Sequence, residues 1–192
     1  MSEMFKGFFG SKPNKSPRIT GGAYTVDEQD AVQALKGFPQ SSVGAPMPVI
    51  FASEQSLFVV FYLELRDPNW DGKSVKVVSL DTNDEPIAVV RFKRASTHYF
   101  GPPNDEAFGG HPLAARGLKP YGAFEVLSSS WIRALERMNS VHPYHKPEHF
   151  ANRRHFILTF HDTIFECVAN EYSIEQPSGS LRSILPEIIA SL

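Results

Sequence analysis

The chain has 192 residues, 42% of them hydrophobic and 21% charged, with 19 Lys and Arg against 21 Asp and Glu for a net charge of -2. Such a composition excludes a disordered, collagenous or coiled-coil chain, and the near-neutral balance argues against a surface built for nucleic acid or anionic lipid. One cysteine, Cys167, excludes an internal disulfide and suits a reducing, cytoplasmic setting, while no apolar run reaches the ~18–20 residues that cross a bilayer, so no stable membrane association is expected.

Residues 1–22 hold Lys6, Lys12, Lys15 and Arg18 among Gly, Ser and Pro, without aliphatic periodicity. They read as a flexible leader ahead of one domain over 23–192. Thr25 and Glu28 have the spacing of a capping box and Gly37 that of a stop, which predicts a helix over 26–36. Proline punctuation over 38–48 then marks a loop.

From Pro48 the period becomes that of strands: Val49–Ser53, Leu57–Leu65, Val75–Leu80 and Ile87–Phe92, the last continuing through Thr97–Phe100. The run Leu57–Leu63 is apolar on both faces, as a central strand covered on both sides must be. Composition marks 67–72 and 81–86 as turns, and a meander follows. Residues 101–122 form a Gly- and Pro-rich stretch too long for an ordinary connection; Phe108, Leu113, Leu118 and Tyr121 anchor it as an ordered loop on the sheet. A short strand at Ala123–Leu127 precedes a helix to Asn139, capped by the serines at 128–130, with Trp131, Leu135 and Met138 on one face.

The segment His155–Asn170 reads as a hairpin. A two-residue turn at Asp162-Thr163 pairs Phe160 with Phe165, Leu158 with Cys167 and Phe156 with Ala169 on an apolar face. His155, Ile157, Thr159 and His161 then lie with Ile164, Glu166, Val168 and Asn170 on the other. At the C-terminus Leu181, Ile184, Leu185, Ile188, Ile189 and Leu192 form a helical stripe with Pro186 off it. That stripe must bury itself on the chain's own sheet or on a second copy, which would make a homodimer through the C-terminal helix. Together these elements predict an α+β fold: an antiparallel sheet with a hairpin in its C-terminal half and two to four packed helices.

Chemistry has three candidate locations. All seven histidines fall between His98 and His161. His142, His145 and His149 are spaced for one side of a helix, but Pro143 and Pro147 interrupt it, and exposed loop histidines are the plainer reading than a metal site. Asn104, Asp105, Glu106 and His111 place carboxylates and an imidazole on the long loop, where they serve either acid–base work or the capping of a helical turn. Thr159, His161 and Glu166 share the polar hairpin face with His155; if a second layer covers that face they must be paired or line a cavity. Cys167 falls on the apolar face as a core thiol.

No dinucleotide fingerprint, complete phosphate loop, nucleophile elbow or His-Glu-x-x-His pattern occurs, so no cofactor and no metal are expected. Residues 92–154 carry nine basic against five acidic side chains, a basic segment between acidic ones.

In Gly101–Ala107, Gly110–Leu113, Ser130–Ile132 and the run His155–Asp162 with Phe165-Glu166, the chain resembles a group of bacterial proteins that has no assigned function. The resemblance spans about residues 95–170 and implies a bacterial origin without a reaction, substrate or cofactor. The reading that follows is a cytoplasmic, non-catalytic binding or protein-interaction domain whose ligand, a protein or a small molecule and not nucleic acid, meets Asn104, Asp105, Glu106, His111, Thr159, His161 and Glu166 in one cleft. The alternative is a small hydrolase or metal-dependent enzyme using the same His, Asp and Glu groups.

Overall fold

Where apolar side chains alternate or run continuously over five to seven residues, the chain extends into strands. The computed structural model describes residues 24–192 except 66, 67, 69, 70, 72, 74 and 75, so the leader lies outside the described residues. In chain order the elements are β1 (Ala31–Ala34), β2 (Val49–Ala52), β3 (Ser56–Tyr62), β4 (Ile87–Lys93), β5 (Thr97–Gly101), β6 (Gly122–Leu127), α1 (Ser130–Asn139), β7 (Arg154–Thr159), β8 (Ile164–Ala169), β9 (Glu171–Glu175) and α2 (Leu181–Ala190). This is the expected mixed α+β domain with antiparallel pairing throughout. Its strands divide between a five-stranded sheet, β1-β6-β7-β8-β5, and a four-stranded sheet, β2-β3-β4-β9.

The two sheets meet face to face through aromatic side chains. Phe61 meets Phe160 at 5.2 Å between ring centroids, and Phe92 meets Phe156 at 5.6 Å and Phe165 at 5.3 Å. Leu57, Val59, Leu158 and Cys167 fill the same layer. Each such side chain contributes about 1.5–3 kcal/mol by leaving water. Every residue of β3 is buried, as its double-sided apolar run requires. One of its faces meets the other sheet; the opposite face, Phe58, Val60 and Tyr62, receives Leu181, Ile184 and Ile188 of α2. The C-terminal stripe is thus spent on the chain's own sheet. Leu185 is half-buried, and Ile189 and Leu192 are left exposed.

On the outer face of the five-stranded sheet lies the 101–121 segment, ordered through short 3-10 turns at Phe108–Gly110 and Ala114–Arg116. Phe108, Leu113 and Leu118 pack there against Phe124, Val126, Ile157 and Ile164. The second layer over the hairpin's polar face therefore exists, and that layer is the long loop.

Several elements depart from expectation, each for a tertiary reason. Residues 26–36 form no helix: Ala31–Ala34 pairs with β6 as an edge strand, Ala31 opposite Leu127. A modest apolar stripe loses to sheet pairing and to Asp30, which accepts from Ser130 N–H at 2.6 Å and thereby holds the segment against α1. The strand expected over 75–80 is irregular in its described part, 76–80. Both neighbours of β3 and of β4 are already strands, so this segment crosses the outer face, where the Tyr62 hydroxyl reaches Ser79 O at 2.8 Å and Thr82 O at 2.9 Å. The chain does not continue straight from β4 into β5: Arg94 adopts φ +54°, and the strand leaves for the other sheet. β9 answers that crossing and went unforeseen, since Glu171–Glu175 lacks a clean alternation. On α1, Trp131 is buried but Met138 stands 68% exposed.

The hairpin turn is His161-Asp162, with Phe160 N–H donating to Thr163 O at 2.9 Å, rather than Asp162-Thr163. Leu158 then faces Phe165, and Phe156 faces Cys167. Each partner moves by two positions, which preserves parity. The faces accordingly remain as alternation placed them, with Phe156, Leu158, Phe160, Phe165, Cys167 and Ala169 in the inter-sheet core.

Candidate functional site

Alternation along β8 points Glu166 away from the inter-sheet core, under the long loop. A carboxylate buried there must be bonded or neutralised. Glu166 is 4% exposed and accepts at both oxygens. Its Oε1 lies 3.1 Å from His111 Nε2, while its Oε2 lies 2.9 Å from His155 Nε2 and accepts from the Tyr24 hydroxyl at 2.7 Å. Burial pushes its pKa up, but the hydrogen bonds from His111, His155 and Tyr24 outweigh this and hold it at about 2.

The imidazole tautomers follow from the remaining bonds. His111 Nδ1 accepts from Leu113 N–H at 3.1 Å, which leaves the proton on Nε2 to be donated to Glu166. His155 sits on β7 with its Nδ1 2.9 Å from Ser129 Oγ. Ser129 is the N-cap of α1, its Oγ accepting from Ile132 N–H at 3.4 Å, so its own proton is free for His155. Around His155 two aromatic rings close: Tyr24 and Trp131 stack on each other at 5.0 Å, and both present edges to the imidazole. Burial, then the charge of Glu166, raises the Tyr24 hydroxyl pKa far above its ordinary value. One carboxylate thus ties together the N-terminal segment, the long loop, β7, β8 and, through His155, the start of α1.

A second cluster forms at the exposed hairpin end. Asp105 N–H donates to His161 O at 2.9 Å, the Tyr121 hydroxyl donates to Asp105 Oδ2, and the Tyr121 and His161 rings lie 6.2 Å apart. Tyr121's bond lowers the Asp105 pKa, and the same bond pushes Tyr121 up to about 12. His161 bonds Asp162 at 3.0 Å; that bond, with the charges of Asp105, Asp162 and Glu106, raises its pKa despite some desolvation. Asp105 Oδ1 is shielded from water and unbonded, as is Thr163 Oγ1.

The seven residues singled out from sequence therefore divide. His111 and Glu166 meet directly in the buried network. Asp105 and His161 meet at the hairpin end, with exposed Glu106 beside Asp105 in the loop. Asn104 accepts from Ala107 N–H at 3.0 Å and shapes the loop. Thr159, 1% exposed, accepts from Gly122 N–H at 2.8 Å and bonds Lys119 O at 2.9 Å, closing the loop's far end. His111 is enclosed while the His161 side chain is 43% exposed, and no hydrogen bond joins them. The single cleft expected around both is two places: a sealed network and an open rim.

Sequence reasoning missed Tyr24 and Ser129 as members of the network and placed His155 on the right face without a partner. Parity along β7 and β8 is the signal for His155; contacts spanning more than a hundred residues leave none for Tyr24. In the 142–149 segment, His145 bonds Glu136 and Asn139, both at 3.0 Å, and so staples the loop to α1. Among the described residues no cluster of His, Cys, Asp and Glu is arranged to hold a metal, and no helix is long and apolar enough to cross a membrane. No protein-family model, curated protein or solved structure matches the chain.

Proposed function

We propose that this chain is a non-catalytic binding protein which meets its ligand at the rim formed by the long loop and the β7–β8 turn. The observation that carries the reading is the enclosure of the Glu166 network: Ser129 is 3% exposed, His155 0% and Glu166 4%, and each is already bonded within the fold. Groups so engaged hold the loop to the sheet. What stays accessible on that side is Asp105, Glu106, Asp162, Tyr121 and His161. Three carboxylates beside an aromatic ring, those of Glu106 and Asp162 exposed, suit a cationic group on a protein or small molecule and repel nucleic acid.

Cys167, buried in the core with its pKa raised by burial, fits a cytoplasmic location, and the motif resemblance fits a bacterial one. Ile189 on α2 and Leu192 just beyond it are the apolar surface left for a homodimer, which sedimentation equilibrium would detect.

A hydrolytic reading has one observation in its favour. Ser129, His155 and Glu166 are linked in the order of nucleophile, base and acid, although Ser129 bonds Nδ1 and Glu166 bonds Nε2, and Ser129 is only 3% exposed. Incubation with a fluorophosphonate probe separates the readings. The binding reading expects Ser129 to stay unlabelled at neutral pH. Labelling of Ser129 that disappears in His155→Ala would overturn it in favour of the hydrolase. For the rim, titration with a short arginine-rich peptide is expected to shift amide resonances at Asp105, Tyr121 and His161, and Asp105→Asn to weaken the effect; unchanged binding in that variant places the site elsewhere.

A further inference from the structure

The basic character of residues 92–154 is unused by the rim and by the network, and the fold disposes of it unevenly. Arg133 pairs with Asp27, and Arg116 donates to Asp30 O at 2.7 Å. Lys93, Arg94, Arg153 and Arg154, by contrast, gather at one corner, where the chain crosses between the sheets. Lys93 and Arg94 come from the end of β4, Arg153 and Arg154 from the start of β7, and Asn170 from the β8–β9 junction, whose N–H donates to Lys93 O at 3.0 Å. Lys93, Arg94, Asn152, Arg154, Asn170 and Glu171 line an open groove of about 680 Å³.

Two of these four cations are neutralised in place. Lys93 meets Glu171 at 3.1 Å, and Arg154 grips both oxygens of Glu125 at 2.9 and 2.6 Å. The other two are not. Arg153 spends a guanidinium nitrogen on the backbone carbonyl of Arg94, and burial together with Arg94's charge lowers its pKa. Arg94 is exposed and has no carboxylate partner among the described residues, and its backbone is held at φ +54°, a conformation that costs a non-glycine residue energy and that recurs at binding sites. Arg153 does not itself line the groove, but its charge and that of Arg94 repel each other, and an anion bound at Arg94 relieves that repulsion while offering paired acceptors to a planar donor fork. Asn152 and Asn170 line the same groove beside Arg94 and can offer amide NH2 groups to an anion there.

We propose that this corner is a second binding site, independent of the rim, for a small ligand bearing a phosphate group, held by Arg94 with Asn152 and Asn170 as neutral donors and with the charge of Arg153 nearby. Glu171 stays outside the contact by remaining on Lys93. A phosphate suits the site better than a carboxylate because its three oxygens match donors arriving from three separate segments.

The test is an NMR titration of the full chain in 150 mM chloride with inorganic phosphate, glycerol phosphate and a 12-nucleotide single-stranded RNA, following the backbone amides of 93–95, 152–154 and 170. Phosphate and glycerol phosphate are expected to give saturable shifts confined to those amides; tighter binding of the ester would identify an esterified ligand, and equal binding the free anion. Arg94→Ala is expected to weaken binding roughly tenfold or more, as loss of a charge-assisted contact does, without altering the melting temperature. Asn152→Asp, which adds a carboxylate to the rim, is expected to weaken it also, and Arg137→Ala on exposed α1 to leave it unchanged. Linear shifts spread over all basic residues, equal affinity in Arg94→Ala, or RNA binding that exceeds the small phosphates and extends over a wider surface would each overturn the proposal.

Discussion

Replacing Glu166 by Gln tests whether the buried network holds the long loop on the sheet. Glu166 accepts from three donors at once, His111 Nε2–H, His155 Nε2–H and Tyr24 O–H. A glutamine amide keeps one accepting oxygen and turns an NH2 toward the remaining donors. His111 cannot adapt, because its Nδ1 is occupied by Leu113 N–H; His155 adapts only by reversing its bond with Ser129, which leaves Tyr24 unsatisfied. Orphaning charged, buried hydrogen bonds costs about 3–5 kcal/mol. A carboxyl held at about 2 in the folded chain against an ordinary 4.5 likewise corresponds to about 3 kcal/mol. Because the folded pKa is the lower one, this stabilisation is complete above pH ~4.5 and is lost as the pH falls toward ~2.

For a domain of this size about 3 kcal/mol is a fall in melting temperature of roughly 6–12 °C. Urea unfolding of wild type and Glu166→Gln at pH 7 and at stepped values down to pH 2.5 should show a gap of about 3 kcal/mol at neutrality that closes through the acid range. A gap below ~1 kcal/mol at pH 7, or one that persists undiminished at pH 2.5, would refute the assignment of Glu166 as a charged acceptor of three bonds.

Three further outcomes are expected. Ile188→Ala opens a hole between α2 and β3 and should cost about 2–5 kcal/mol in urea unfolding; a loss under 1 kcal/mol would mean that α2 is only loosely docked. The His161 imidazole should titrate above its ordinary 6.5 by NMR and move down in Asp162→Asn, whereas an unchanged midpoint would show that Asp162 does not hold it. Cys167, buried and with its thiol pKa raised, should resist iodoacetamide at pH 8 while the chain is folded and react fully in guanidinium; rapid native-state alkylation would show that the inter-sheet core opens.

Strand parity survives an error in the turn, and this governs what was legible beforehand. Placing the β7–β8 turn one residue late moved every partner by two positions yet left Glu166 and His155 on the covered face, so a polar cluster beneath the 101–121 loop was readable without the correct register. The anchors Phe108, Leu113 and Leu118 made that loop the cover. Local pattern had no access to which distant segment completes the cluster. Tyr24 and Ser129 enter through contacts set by β1 pairing with β6, and β1 itself read as helix because its capping residues looked local while its stabilisation is not. The division into two sheets was likewise hidden, since the crossings are only three residues at 94–96 and the single residue Asn170 in otherwise strand-like sequence.

The placement of α2 has a consequence for how the chain comes into being. Phe58, Val60 and Tyr62 on β3, with Ile87 and Val89 on β4, form an apolar sheet face whose cover is supplied by Leu181, Ile184 and Ile188. During synthesis that face is completed at Val89, more than ninety residues before its cover begins at Leu181, and at ~5–20 residues per second the interval is several seconds or longer. β4 meanwhile awaits β9, so its strand edge stands unpaired over the same interval. The nascent chain is therefore most exposed to self-association after β4 and before α2. A ribosome-bound chain halted in that window is a natural client for a chaperone that holds apolar strands, whereas the released chain buries the same surface against α2.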